Sequence, residues 1–222
     1  MPTDPRTRDE LIEALPERGC PICALVERAE RKAIDHFLYD QVNDIRLRDQ
    51  LRASRGYCLH HTAMLSQGRS ALGIAIVSRD ILRAMTAELE AGAAGGWPWQ
   101  RGGAALAGRV GPHADCPMCT LRPQIEEPLL LGLLQNLDDP SFHQAFAQGD
   151  GMCRSHLAQA LRMASPAQAS ALAQVAAQQW RRAEAALDEF IRKHDYRFND
   201  ESMDEERDIW LRALQLSSGW RA

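Results

Sequence analysis

Aromatic residues are scarce in this chain: five Phe, five Trp and three Tyr make up 6% of 222 positions. Strands draw on aromatic and β-branched residues, and nowhere do such residues alternate with polar ones over a useful stretch. That excludes an all-β fold and points to an almost wholly α-helical chain. An excess of one charge is also lacking. Lys and Arg number 26 against 30 acids, for a net charge of -4. This argues against a general nucleic-acid binder, which needs a basic face. Arg46, Arg48, Arg52 and Arg55 form a short basic run, which reads as a solvated helix face. Long apolar runs are missing, since none approaches the ~18 residues that span a bilayer. Met1-Pro2-Thr3-Asp4-Pro5-Arg6 leads into polar sequence with no apolar signal core. The expectation is a cytoplasmic protein with no membrane association. Nucleotide and hydrolytic signatures are absent as well: no Gly-x-x-x-x-Gly-Lys, His-Glu-x-x-His or Gly-x-Ser-x-Gly. Acidic residues are plentiful, but none is expected to pair with a histidine. No small-molecule substrate is evident, and catalysis is not expected.

Cysteine is sparse but ordered. All six cysteines fall into two copies of one pattern. The first is Cys20-Pro21-Ile22-Cys23 with Gly56-Tyr57-Cys58-Leu59-His60-His61, and the second is Cys116-Pro117-Met118-Cys119 with Gly151-Met152-Cys153-Arg154-Ser155-His156. Each copy offers three thiols and an imidazole, the ligand set of a Cys3His tetrahedral site. The candidate ligands are Cys20, Cys23, Cys58, His61, Cys116, Cys119, Cys153 and His156. Cysteines two apart can aim both sulfurs at one point when the chain bends between them, and proline after the first helps fix that bend. Cys-x-x-His does the same from a helical first turn, where positions three apart share a face. The glycine two residues before that cysteine permits a tight approach.

Zinc, as two ions, suits this set, and four protein ligands leave no position open for a substrate. An iron–sulfur centre is the alternative, and thiol redox chemistry at Cys-Pro-x-Cys is a further one. Only His61 has a counterpart in the other copy, at His156. His60 is therefore a neighbour of the site, and His113 ranks below His156. His36, His143 and His194 are unrepeated and read as structural or exposed. Each site could form within one copy, or the copies could exchange knuckles. Loop closure favours the shorter assembly, although by only on the order of 1 kcal/mol.

The organisation is an internal duplication. Residues 1–92 form a first metal-knuckle helical repeat, 93–112 a Gly/Trp-rich linker carrying Trp97 and Trp99, and 113–198 a second repeat. Residues 199–222 form a C-terminal amphipathic helix. Each repeat closes with a long helix. In the second it starts at Ser165-Pro166, an N-cap followed by proline. Its stripe, at steps of three and four, is Leu172, Ala176, Trp180, Ala183, Leu187, Ile191 and His194. The first repeat's stripe is Leu72, Ala75, Ile76, Leu82, Met85 and Leu89. Ser202-Met203-Asp204-Glu205 reads as a capping box, and Gly219 as a helix stop. A helix so short must dock, because alone it is marginal in water.

At these residues the chain resembles a bacterial domain-of-unknown-function family, numbered six-zero-six-two. Its members are similar in carrying two Cys-Pro-x-Cys plus Gly-aromatic-Cys-x-x-His units and a C-terminal segment resembling Ser-Trp-x-Arg-Ala. Here those are the two motif pairs above and Ile209-Trp210-Leu211-Arg212-Ala213. Ile209 replaces the serine and Met152 the aromatic. The resemblance implies that the cysteines act as a set, and it implies no activity. The expected fold is an all-α helical bundle from an internal duplication, with two Cys3His knuckles and a docked C-terminal helix. The expected role is a non-enzymatic interaction or scaffold protein with a protein partner. The alternative is a redox or sensor protein.

Overall fold

The computed structural model describes residues 5–68, 70–94, 102–198 and 200–219. Among these, eleven α-helices and no strand occur. In chain order they are α1 (Pro5–Ala14), α2 (Pro21–Asp40), α3 (Ile45–Ala53), α4 (Leu59–Ser66), α5 (Ala71–Ala93), α6 (Gly103–Val110), α7 (Pro117–Asn136), α8 (Pro140–Gln148), α9 (Arg154–Met163), α10 (Pro166–Lys193) and α11 (Ile209–Ser218). Helices α2 to α5 recur as α7 to α10, with starts displaced by 95 or 96 positions (Pro21 to Pro117, Ile45 to Pro140), and α1 is followed by α6 in the second copy with starts 98 apart. Helix α6 lies inside the segment expected to be linker, so 93–112 is not all connector. Trp97 and Trp99 lie outside the described residues.

The chain divides into two compact units that do not follow the repeats. One comprises residues 1–27 and 125–222, and the other residues 28–124. Helices α2 and α7 each begin in one unit and end in the other. A 20-residue helix is about 30 Å long, so each carries the chain well away from its own knuckle.

The first unit packs Leu11, Ile22, Leu130, Leu133, Phe142, Phe146, Met152 and Leu172 into one core. Fully burying side chains such as Phe142 and Phe146 stabilises by roughly 1.5–3 kcal/mol each. Helix α10 opens with a complete capping box: Ser165 accepts from the Gln168 amide, and the Gln168 side chain accepts from the Ser165 amide. Helix α11 docks in this unit through buried Ile209 and Leu216 and an Arg212–Asp150 ion pair of 3.0 Å. It stops at Gly219, in the left-handed region at φ 77°. Ser202 does not cap it. A 3₁₀ turn at Glu205–Asp208 precedes the helix, and the Ser202 hydroxyl donates to Asp204 instead.

The second unit packs Ile34, Phe37, Leu38, Leu51, Met64, Leu65, Val77 and Met118 together. Here the expected stripe of α5 is corrected. Leu72, Leu82 and Leu89 are exposed, and Ile74, Val77 and Ile81 face the core. Helix α5 is apolar on more than one face, so periodicity did not select one. Close approach did: a Cβ on Gly73 would lie 2.6 Å from the Leu38 carbonyl oxygen. The basic run is engaged locally, with Arg48 and Arg52 both paired to Asp80 at 3.1 and 2.9 Å.

Candidate metal centres

All eight proposed ligands sit at helix N-termini. Cys20, Cys58, Cys116 and Cys153 each occupy the position just before a helix, where the carbonyl accepts the first intrahelical bond. Cys23, His61, Cys119 and His156 lie three residues on, in the first turn. These two positions share a face, so each element bites with two donors. Proline follows Cys20 and Cys116 as the first helical residue, where its fixed φ suits a helix start and its missing amide costs nothing. Gly56 and Gly151 lie at φ 104° and 95°, a region that disfavours any side chain. The positive ends of the helices favour thiolates there.

The structure brings together four donors in each unit, across the repeats rather than within them. Cys20, Cys23, Cys153 and His156 form one cluster, and Cys58, His61, Cys116 and Cys119 the other, with all donor atoms of each within 4.8 Å. The shorter assembly favoured by loop closure is therefore not adopted. Loop-closure entropy governs flexible connections, whereas α2 and α7 are rods. The Cys58 element packs near the far half of α2, and the knuckle that meets it belongs to the other copy.

The spacing fits a single tetrahedral ion. Zinc bonds of ~2.3 Å to sulfur and ~2.05 Å to nitrogen imply edges of about 3.8 Å between sulfurs and about 3.6 Å from sulfur to nitrogen. In the first unit Cys23 and Cys153 Sγ are 3.7 Å apart, and His156 Nδ1 lies 3.3–3.5 Å from Cys20, Cys23 and Cys153. In the second, Cys58 and Cys119 Sγ are 3.6 Å apart, and His61 Nδ1 lies 3.1–3.6 Å from its three sulfurs. All six cysteines are free.

Both histidines turn Nδ1 to the sulfurs and Nε2 to a buried glutamate. His61 Nε2 meets Glu30 Oε1 at 3.1 Å, and His156 Nε2 meets Glu126 Oε1 at 3.2 Å. A carboxylate behind a ligating imidazole fixes its tautomer and raises its basicity. Arg122 grips Glu30 with two hydrogen bonds of 2.8 and 3.0 Å. These acids pair with the histidines although no short spacing announced it. The available signal was their register: Glu30 follows Cys20 by ten residues, and Glu126 follows Cys116 by ten.

The remaining histidines take no part in the two cysteine-containing clusters, although His60 forms a further donor group with Glu30 and His61. His60 packs edge-on to His61 and lies 3.8 Å from Glu30. His113 is exposed, and His36 is exposed and bonded to Asp40. His194 caps α10, where its Nδ1 donates to the Phe190 carbonyl at 2.8 Å. His143, on α8, takes no part in either donor set.

The local fields reflect charge pairing. Burial disfavours a charged His61, but hydrogen bonds with Cys116, Glu30 and Cys58 outweigh it and lift its pKa to about 10. His156 rises to about 11 in the same way, against burial, through Cys153, Cys20 and Glu126. Burial also opposes the Cys116 thiolate, yet His61 and the amides of Cys58, Cys119 and Met118 pull its pKa down to about 6. Glu30, despite burial, is held at about 2 by His61 and Arg122. In the first unit hydrogen bonds from Cys20 and Cys23 hold Cys153 as a thiolate, and Cys23 is pushed up chiefly by its bond to Cys153.

Four-ligand knuckles built on paired helix starts define a helical Cys/His cluster protein. The chain belongs to DUF6062, a family of unknown function, which it matches over residues 10–98 and 133–221. The first match holds Cys20, Cys23, Cys58 and His61 and the second Cys153 and His156, while Cys116 and Cys119 fall between them. The chain is also similar to the "Uncharacterized 23.9 kDa protein in xynA 3'region" of Caldicellulosiruptor sp. (strain Rt8B.4). The two are 41% identical over 73 residues, which are 33% of this chain and 36% of that protein. The match thus spans about a third of that relative's length. No solved structure matches. No helix among the described residues is long and apolar enough to cross a membrane.

Proposed function

We propose that the protein is a non-enzymatic scaffold or interaction protein of the cytoplasm that carries two structural zinc ions. The observation that carries this reading is the pair of Cys3His clusters, each with its imidazole backed by a buried glutamate. Four protein donors complete a zinc shell, so the ions hold helix starts together and leave no site for a substrate. The edges of 3.1–3.7 Å support one ion per cluster over a multi-iron centre. The proposed partner is a protein. Nucleic acid fits poorly with a net charge of -4 and with arginines already committed to Asp80.

Elemental analysis of protein purified without oxygen tests this directly. Two zinc equivalents in a colourless protein support the reading. A brown protein with visible charge-transfer absorption sinks it in favour of iron.

A further inference from the structure

We propose that the Cys58–His61–Cys116–Cys119 cluster is a peroxide-responsive thiolate switch, in which Cys119 is attacked, Cys58 closes a disulfide on it, and only this cluster's metal is released. The proposal rests on the reading that the cluster holds a metal ion.

The two clusters differ in cover. In the first unit every ligand is buried: Cys20 2%, Cys23 9%, Cys153 0% and His156 5% exposed. The end of α11 completes that seal. The Gly219 carbonyl lies 3.7 Å from Cys23 Sγ, and a Cβ on Gly219 would stand 3.3 Å from Cys153 Sγ. Arg154 pins this end by donating to the Ser217 carbonyl at 3.1 Å. In the second unit Cys116 and His61 are buried, but Cys119 is exposed and Cys58 only half-buried. The solvent-facing sulfur and its partially covered neighbour are 3.6 Å apart.

Oxidation of cysteine follows thiolate character and access. Metal ligation keeps both sulfurs deprotonated, and access singles out Cys119. Its thiolate attacks one oxygen of hydrogen peroxide. The O–O bond breaks, hydroxide leaves and Cys119 becomes a sulfenic acid. The Cys58 thiolate then attacks that sulfur, the S–S bond forms and a second hydroxide leaves. Two electrons pass from the two sulfurs to the peroxide. Of the four donors only Cys116 and His61 remain, and the ion is lost.

The test uses the full chain carrying two metal equivalents, mixed with hydrogen peroxide in the presence of a chromogenic chelator and followed by peptide mapping. One equivalent leaves first, a Cys58–Cys119 disulfide appears, Cys20, Cys23 and Cys153 stay reduced, and dithiothreitol with zinc restores the lost equivalent. Simultaneous release of both equivalents, a Cys116–Cys119 bond, or first oxidation in the other cluster overturns the switch. Fewer than two equivalents before oxidant overturns the two-metal reading and the switch with it. In Cys58→Ser the Cys119 sulfenic acid accumulates and is captured by dimedone. Should that variant not fold, iodoacetamide on the unaltered protein decides: labelling at Cys119 ahead of Cys20, Cys23 and Cys153 supports the switch, and equal rates reject it.

Discussion

The two clusters share a set of donors and a plan, yet one is closed and the other faces solvent. Each pairs the Cys-Pro-x-Cys helix start of one repeat with the Cys-x-x-His helix start of the other, and each backs its histidine with a glutamate ten residues beyond a knuckle's first cysteine. Duplication therefore reproduced the local chemistry. It did not reproduce the surroundings. The closed cluster owes part of its cover to α11, which lies outside the repeated helices. Its glutamate also has different company: position 26, which matches Arg122, holds buried Val26. Ligand geometry is encoded within a few residues, whereas access depends on what else the chain lays over the site.

The largest test of this comparison removes a whole knuckle. Cys20→Ser with Cys23→Ser, and Cys116→Ser with Cys119→Ser, should each abolish one metal equivalent. Structural zinc binding contributes folding free energy, so each loss should cost several kcal/mol. The first pair should cost more, because both Cys20 and Cys23 belong to the core of their unit, whereas of the second knuckle only Cys116 does and Cys119 is exposed. Metal content and urea unfolding measure both effects, and equal costs would show that burial does not distinguish the clusters.

Next come the glutamates. Glu30→Ala and Glu126→Ala should each weaken metal binding ~10–100-fold, and only at the cluster they back. Glu30→Ala also removes the acceptor of two Arg122 hydrogen bonds. Competition with a chelator of known affinity reads this, and an effect spread over both clusters would refute the assignment.

The paired glycines differ in what surrounds them. Both positions have positive φ, so alanine costs about 1–2 kcal/mol at either. At Gly151 the new Cβ would also lie 2.4 Å from Gln179 Oε1, while at Gly56 the nearest atom is Ile81 Cδ1 at 3.5 Å. Gly151→Ala should therefore exceed Gly56→Ala by about 1–3 kcal/mol from overpacking, as read from thermal unfolding. The smallest effect falls on the matching caps. Asp44 accepts from the Leu47 amide, and Asp139 from those of Ser141 and Phe142. Replacing either by alanine should cost about 1 kcal/mol and leave metal content unchanged.

Much of this architecture was legible in the residues themselves. The helical class, the duplication and the N-cap at Ser165 are local matters of propensity, repetition and capping, and all appear in the fold. The eight Cys and His residues gather into two sets of donors. Other features depended on distance. Glu30 and Glu126 lie far in sequence from the histidines they meet. The inward face of α5 was set by Gly73 against Leu38 rather than by the leucine stripe. Ser202 found Asp204 before it could cap a helix.

By itself the sequence determined which atoms are available to a metal and how each short element presents them, because two donors three residues apart at a helix start need only local geometry. Tertiary structure decided which element meets which. Helices α2 and α7, rigid over about 30 Å, carry each copy away from its own knuckle, so partners are exchanged despite an entropy term of only about 1 kcal/mol for the shorter loop. It also decided that Cys119 meets solvent while Cys23 lies beneath the end of α11, since exposure depends on all that packs around a residue.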